Sequence, residues 1–491
     1  MHNCWKFCNL LHEHLEFSSR LVRSMDMRAL VVYSLWLASA CVLCVREKPY
    51  YNFKLVRIAA GSSERLDRIL HQLPQIDDIH RNPHDNTLLA IVTPDDLAEV
   101  VQTVTEENGD VEILQDNLQD SVDEEFRHLD MRRRKRATLE LEDVIKEYLK
   151  LDEIYEFQDR VQSSCSNFVD VKKKTIGYSA ENRPINVMKI SPKDPGRNRK
   201  TIFIESGVHA REWLSPATAN YIVYQLACNK SNADMTQLVD WEVVSPVNPD
   251  GYEFTHSGYR YWRKNRQRNL RSRCVGTDLN RNFGTGFGKR GASGNACSDT
   301  YRGRYAYSAP EANALAQHIL GNKQAIISYL SIHTYGQYIL LPWAYQNKRV
   351  ADNASLTSLA KTAEKAMGVP FRIGPTYSML YPAAGITADF ARDKAKVARS
   401  YTWELMPRTG KRLSGFSPSE NLVPFYTPTI WRGIRAYAVA VADEVGITAE
   451  DVFLAGDVVP SVPNPYRDSI LEAFKNSSMY PALLQVLQNG K

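Results

Sequence analysis

Apolar and polar positions change rhythm in short units over the first part of the chain. Asn52 to Ile58 alternates with the period of a half-buried strand, and Ser62 to Leu73 carries apolar residues at helical spacing. Thr87 to Val92 is a continuous apolar run of strand length, Pro94 to Asn108 returns to helical spacing, and Val111 to Asp116 is again strand-like. With a short extended piece near Asp77 the order is βαββαβ, which predicts a small α+β layer of the split-βαβ kind. A charged helical stretch follows and ends in Arg132-Arg133-Arg134-Lys135-Arg136. Such a run is ordinarily solvated and open to proteases, because unpaired charge is costly to bury.

Beyond Ala137 the units lengthen. Thr201 to Ser206, Glu242 to Val247, Ile326 to His333 and Ser400 to Met406 read as apolar strands, separated by helical stretches such as Ser215 to Cys228, Ser355 to Met367 and Pro428 to Val445. This alternation predicts an α/β domain: a mixed, largely parallel twisted sheet with helices on both faces. Functional groups in such sheets collect at strand ends and in the loops that follow. After Gly446 a tail carries Pro460, Pro463 and Pro465 and a short amphipathic piece, Ser469 to Phe474, and reads as a surface appendage.

Composition narrows the class. With 491 residues, 43% hydrophobic and 24% charged, the chain can bury a sizeable core and is not a disordered protein. The net charge of +5 is small for this length, and its excess is local to Arg132–Arg136 and Tyr259–Arg273, which argues against a nucleic-acid surface. Met27-Arg28 followed by the apolar stretch Ala29 to Leu43, with small residues at Ala38, Ser39 and Ala40, reads as a secretory signal rather than a membrane span. Residues 1–26 before it place the working start at Met25 or Met27, or form a longer n-region or a weak anchor. Setting aside Cys4, Cys8, Cys41 and Cys44, the body keeps Cys165, Cys228, Cys274 and Cys297, an even set that suggests two disulfides with three pairings open. Asn229, Asn353 and Asn476 begin N-x-S/T sequons.

Chemistry enters just after the Thr201–Ser206 run. His209 and Glu212 stand three residues apart, and His333 closes the later Ile326–His333 run. Two imidazoles and one carboxylate are a ligand set for a catalytic zinc, which keeps a further position for water and lowers the pKa of that water towards neutrality. H-x-x-E alone is a weak motif. Here it is followed in order by Trp262-Arg263-Lys264, Leu279-Asn280-Arg281-Asn282-Phe283, Ser331-Ile332-His333-Thr334-Tyr335, Leu380-Tyr381 and Thr402-Trp403-Glu404-Leu405. On these motifs, the chain from about Ala137 to Gly446 resembles the catalytic domain of metallocarboxypeptidases of the A/B type.

The resemblance implies one Zn²⁺ on His209, Glu212 and His333, with Glu404 as general base and acid and Arg263 polarising the scissile carbonyl. It implies that Asn280 and Arg281 bind the terminal carboxylate of a peptide, that Tyr381 closes over it, and that Arg211 and Tyr335 touch outer substrate residues. Aligned from Tyr381 and Glu404, the pocket for the last side chain takes in Leu340, Ala344, Thr376, Leu380, Ala383, Ile386, Ala388 and Thr402. None is charged, and Ala388 stands where the basic-specific branch has an aspartate. The implied preference is therefore for apolar C-terminal residues, with Ile386 in place of a glycine leaving aliphatic against aromatic open. The family's matching loop is closed by a bridge equivalent to Cys274–Cys297, which leaves Cys165 with Cys228.

The segment before the basic run resembles the activation domain of procarboxypeptidases. The expected organisation is thus an upstream segment 1–26, a signal peptide 27–46, an activation domain 47–136, a catalytic domain 137–446 and a tail 447–491, with cleavage between Arg136 and Ala137. The expected protein is a secreted, extracellular, monomeric zymogen whose partners are peptide C-termini and an activating protease, without nucleic acid or lasting membrane association. Two other readings compete. A catalytically silent peptide-binding relative would have lost a zinc ligand or the glutamate, and neither is lost. A zinc endopeptidase or amidase would have no use for the carboxylate clamp of Asn280, Arg281 and Tyr381.

Overall fold

The computed structural model describes residues 49–447, except 74–75, 83–84, 136–137, 139, 195–197, 409–414 and 417. The upstream segment, the signal, the cleavage point Arg136–Ala137, the tail and Asn476 lie outside the described residues. Among the described residues no helix is long and apolar enough to cross a membrane.

The N-terminal unit runs β1 (Lys54–Ala59), α1 (Ser63–Gln72), β2 (Asp77–Asn82), β3 (Thr87–Val92), α2 (Leu97–Glu106) and β4 (Asp110–Gln115). Its sheet is antiparallel throughout, in the order β2-β3-β1-β4. Helix α1 starts where the Ser62 hydroxyl accepts the Arg65 amide, which satisfies a first-turn donor. Val56, Ile58, Leu88, Ala90 and Val92 pack with Leu66, Ile69, Val100 and Val104 into a small core of their own. Leu55, Leu89 and Ile91, one position out of phase, face the other way and join the main core of the larger body. Burial on both faces is why β3 reads as an unbroken apolar run and not as an alternation.

Helix α3 (Leu118–Lys135) continues this contact. Leu118, Val122, Phe126 and Leu129 recur at helical spacing and are buried in the main core, with the Phe126 ring 6.0 Å from that of Trp213. Its last turn corrects one expectation, since the basic run is not freely solvated. Arg132 lies 3.0 Å from the Glu420 carboxylate and donates to Asn421 and the Lys146 carbonyl. Arg133, its side chain only 12% exposed, donates to the Tyr148 carbonyl and sits 3.6 Å from Glu153. Acidic and carbonyl partners on the larger body offset the desolvation that would otherwise keep these guanidinium groups in water. Arg134 and Lys135 are exposed.

The larger body comprises α4 (Leu151–Ser164), β5 (Val169–Tyr178), β6 (Pro184–Pro192), β7 (Thr201–Ser206), α5 (Leu214–Ala227), α6 (Ala233–Leu238), β8 (Asp240–Val244) and α7 (Pro249–His256). It continues with α8 (Pro310–Asn322), β9 (Ile326–Thr334), β10 (Tyr338–Leu341), α9 (Asn353–Met367), β11 (Arg372–Pro375), α10 (Thr376–Met379), α11 (Thr387–Asp393), β12 (Arg399–Leu405) and α12 (Val423–Glu444). The strand order is β11-β10-β12-β9-β7-β8-β6-β5. The middle of the sheet, β12-β9-β7-β8, is parallel, and antiparallel pairings join β10 to one side and β6 and β5 to the other. Ile202, Ile204, Leu330, Ile332 and Trp403 face the core that contains α5, α9 and α12, while Phe203 and Tyr329 face the opposite core against α8 and α11. The mixed α/β class is as expected. Strand β8 ends earlier than the apolar run suggests, because the run passes through Pro246, which has no amide hydrogen to give a ladder. Cys165 is bonded to Cys228 and Cys274 to Cys297.

Phe126→Ala is expected to cost about 3–5 kcal/mol, the usual price of an emptied aromatic site in a core. Urea unfolding of the full chain measures it, and a change below about 1 kcal/mol would mean that α3 is not part of the cooperative core.

Candidate active site

Three parallel strands deliver the chemistry at one edge. His209 lies just past the end of β7, His333 near the end of β9, and Glu404 opposite His333 in the register of β12. Glu212, in the turn after His209, reaches both rings: its Oε1 is 2.7 Å from His209 Nδ1 and its Oε2 is 3.0 Å from His333 Nδ1. The Thr334 amide also donates to Oε2. All three residues are buried, and a ligand atom from each lies within 4.8 Å of the others.

The outer nitrogens have their own partners. His209 Nε2 is 3.2 Å from Asp278 Oδ1, and His333 Nε2 is 2.9 Å from the Ser331 hydroxyl. A carboxylate can only accept, so His209 Nε2 donates to Asp278, and Nδ1, which faces Glu212, is the nitrogen that would offer its lone pair to a metal. A set of two imidazole nitrogens and one carboxylate, aimed at a common point and oriented from behind, suits a divalent zinc. Burial raises the Glu212 carboxyl, but His209 and His333 outweigh it and hold the group well below the usual carboxylate range. Burial is also the largest influence on Glu404, which it pushes up to about 8; Glu212 adds to this, and His333, Arg263 and Arg281 oppose it.

Asp278 holds the opposite wall. Its Oδ2 accepts from Arg263 Nε and Nη2 at 3.1 and 2.9 Å, and its Oδ1 accepts the Asn280 amide, which caps the short turn Leu279–Arg281. Asn280 Oδ1 accepts the Thr387 amide, and its Nδ2 is 3.4 Å from His333 Nε2. Arg281 donates from Nε to the Gly291 carbonyl and from Nη1 to the Asn280 carbonyl. Two glycines allow the Tyr381 loop to close against this segment. Gly385 (φ +78°) would put a Cβ 2.4 Å from the Arg281 carbonyl oxygen, and Gly291 (φ +87°) would put one 1.8 Å from that of Pro382.

Half-buried Tyr381 packs on a small cluster of Ala344, Ala383, Ile386 and Ala388. Leu340 and Thr402 are neighbours across β10 and β12, Thr376 donates to the Leu341 carbonyl, and Leu380 bonds back to Thr376. The Thr402 hydroxyl has no partner among the described residues. Asp389, beside this cluster, accepts the Ala344 and Tyr345 amides, and burial nevertheless pushes its carboxyl up to about 7. Arg211 and Tyr335 meet around Phe416: the guanidinium lies 4.6 Å from its ring and bonds Asp299, and Tyr335 packs edge-on at 5.1 Å.

This arrangement has counterparts. A family model described as zinc carboxypeptidase matches residues 154–429. Zinc carboxypeptidase A 1 of Anopheles gambiae is 31% identical over 76% of this chain and 86% of its own length, and carboxypeptidase A1 of Homo sapiens is 30% identical over 81% and 95%. The crystal structure of thrombin activatable fibrinolysis inhibitor superposes with a TM-score of 0.69 at 27% identity, covering 80% of this chain and 99% of that one. The chain belongs to the zinc carboxypeptidase family. It is an A/B-type metallocarboxypeptidase, a hydrolase with a zinc cofactor.

Motif reading gave no role to Asp278, Glu205 or Thr387, and none to Ser331 although it opens the Ser331–Tyr335 motif. Asp278 is the hub of this carboxypeptidase's buried charges, and the available signal was an acidic residue immediately before Leu279-Asn280-Arg281. Burial opposes its charge, but Arg263 and His209 hold its carboxyl well below the ordinary value. A depressed carboxyl contributes stability that is present above the unfolded value, about pH 4, and is lost as pH falls through the folded one. Asp278→Asn is expected to cost about 3–5 kcal/mol at neutral pH, because Arg263 keeps its buried charge and loses its anion. In urea unfolding this difference should begin to shrink below about pH 4, and a difference constant down to acid pH would assign the loss to packing instead.

Proposed function

We propose that this carboxypeptidase is made as a secreted zymogen and, once cut between Arg136 and Ala137, removes apolar residues from peptide C-termini. The observation that carries the reading is the convergence of His209, Glu212 and His333 within 4.8 Å, facing Glu404, Arg263 and the Asn280–Arg281 segment. His209 Nδ1, Glu212 and His333 Nδ1 would hold the zinc, which when bound polarises a carbonyl and acidifies water.

The protein's own groups divide the remaining work. Glu404 takes a proton from water and returns it to the leaving amine. Arg263, kept in place by Asp278, stabilises the developing oxyanion. Asn280 and Arg281 receive the terminal carboxylate, and Tyr381 covers it. Arg211 and Tyr335 would contact residues upstream of the cut bond. The pocket of Leu340, Ala344, Thr376, Leu380, Ala383, Ile386, Ala388 and Thr402 has no charge to pair with a lysine or arginine end, which would therefore be buried at a cost of several kcal/mol.

Contacts of the N-terminal unit support the zymogen. Its Tyr50 hydroxyl accepts the Tyr261 amide, Glu125 pairs with buried Arg260, and Asp67 pairs with Arg290 at 2.8 Å. Arg290 adjoins Gly291, whose carbonyl holds Arg281, so the unit docks beside the segment that would grip the chain end. Two disulfides suit an oxidising, extracellular compartment.

Glu404→Gln should keep its zinc and lose activity by about 100-fold or more. Metal content and turnover measured on one preparation decide this, and retained activity would remove Glu404 from its role. A panel of blocked dipeptides with free or amidated ends, offered before and after cleavage at Arg136, tests the rest. Free apolar ends should be cut by the cleaved form alone, and Ala388→Asp should shift preference towards lysine and arginine. Equal hydrolysis of amidated ends would end the exopeptidase reading, and full activity of the uncut chain would end the zymogen reading.

A further inference from the structure

His209 has a carboxylate behind it, and His333 has a hydroxyl. That hydroxyl, Ser331 Oγ, in turn contacts Glu205 Oε1. Glu205 lies on β7, four residues before His209, and is fully buried. The same Oε1 also accepts from the Tyr329 hydroxyl at 3.2 Å and the Thr387 hydroxyl at 3.1 Å, while Oε2 has no partner among the described residues. A carboxyl group so deep without a bonded cation is expensive, and a leucine would fill the space at lower cost.

We infer that Glu205 is a positioning residue that fixes the tautomer of His333 through Ser331. This rests on the reading of His209, Glu212 and His333 as the zinc ligands. A serine hydroxyl has one proton and can direct it either way. If it points at His333 Nε2, the imidazole proton is forced onto Nδ1, the nitrogen that faces Glu212, and that nitrogen can no longer bind a metal. Ser331 Oγ lies closer to Glu205 Oε1 than to His333 Nε2, and a carboxylate oxygen only accepts, so Glu205 draws the Ser331 proton to itself. Ser331 must then accept from His333 Nε2–H, and Nδ1 keeps its lone pair. Thr387 belongs to the same network: its hydroxyl lies 3.1 Å from Glu205 Oε1 and 3.2 Å from Ser331 Oγ. One buried carboxyl thus orients a metal ligand through a single hydroxyl.

The test compares zinc dissociation constants of the full chain by competition with a chromophoric chelator, together with melting temperatures of the metal-free forms. Glu205→Leu and Ser331→Ala should each weaken zinc binding by about 10–100-fold, the double variant hardly more, and the metal-free melting temperatures should stay close to the parent. Glu205→Gln should bind zinc nearly as the parent does, since its amide oxygen still accepts from Ser331. Zinc binding by Glu205→Leu within about threefold of the parent overturns the inference, as does a loss in Glu205→Gln equal to that in Glu205→Leu. Should Glu205→Leu fail to fold, Ser331→Ala decides on the same criterion. A His333→Ala control separates the two levels: if it binds zinc as tightly as the parent, the ligand reading itself falls, whereas its loss of zinc beside an unchanged Glu205→Leu sinks the positioning role alone.

Discussion

Glu212 lies between two imidazoles at the carboxyl edge of a parallel sheet, and the surrounding structure is arranged so that these buried groups can coexist. A carboxylate taken out of water needs compensation from cations, donors or a metal. Here it comes from His209, His333 and the Thr334 amide on the inside, and each ring is then held from the outside by Asp278 or Ser331. Asp278 in turn requires Arg263, and the Leu279–Arg281 turn that Asp278 caps carries the Arg281 whose geometry depends on Gly291 and Gly385. The chain of dependence runs from one charge outward to the loops of the cleft.

The scaffold makes that chain of contacts stiff. Strands β7, β9 and β12 are adjacent and parallel, with apolar side chains packed on both faces, so their ends are fixed relative to one another by two cores at once. A site built from residues more than a hundred positions apart needs this rigidity, because loop segments alone would not hold ring nitrogens to within a few tenths of an ångström.

The N-terminal unit is joined to this body by more than surface charge. Leu55, Leu89, Ile91 and the apolar face of α3 lie in the same core as Trp213, Tyr148 and Tyr252. Trp213 follows Glu212 directly, is stacked between Arg260 and His256, and receives Phe126 at its edge, so the packing of the N-terminal helix reaches within one residue of the site. Burial of Arg133 against Tyr148 and Glu153 belongs to the same interface. Charge spacing along a sequence does not reveal this. A basic run looks solvated until its partners, supplied by residues far along the chain, are known.

Local pattern was enough for the elements with strong periodicity. The continuous runs of β7 and β9, the helices α5 and α9 and the βαββαβ order of the N-terminal unit are set by side chains whose burial is a property of their own segment. Strands β5 and β6, an antiparallel pair at the sheet edge carrying Lys172-Lys173-Lys174, and the short β10 and β11 escaped notice, since edge and four-residue strands leave little periodic signal. Residue types at motif spacing likewise singled out His209, Glu212, His333 and Glu404, which the fold brings to neighbouring strand ends. Only the tertiary structure decided which nitrogen of each ring faces inward, that Asp278 ties His209 to Arg263, and that Glu205 stands behind Ser331. Those relations are distances between strands, and hydrogen-bond direction is set by the packing that brings the strands together, not by the order of residues along any one of them.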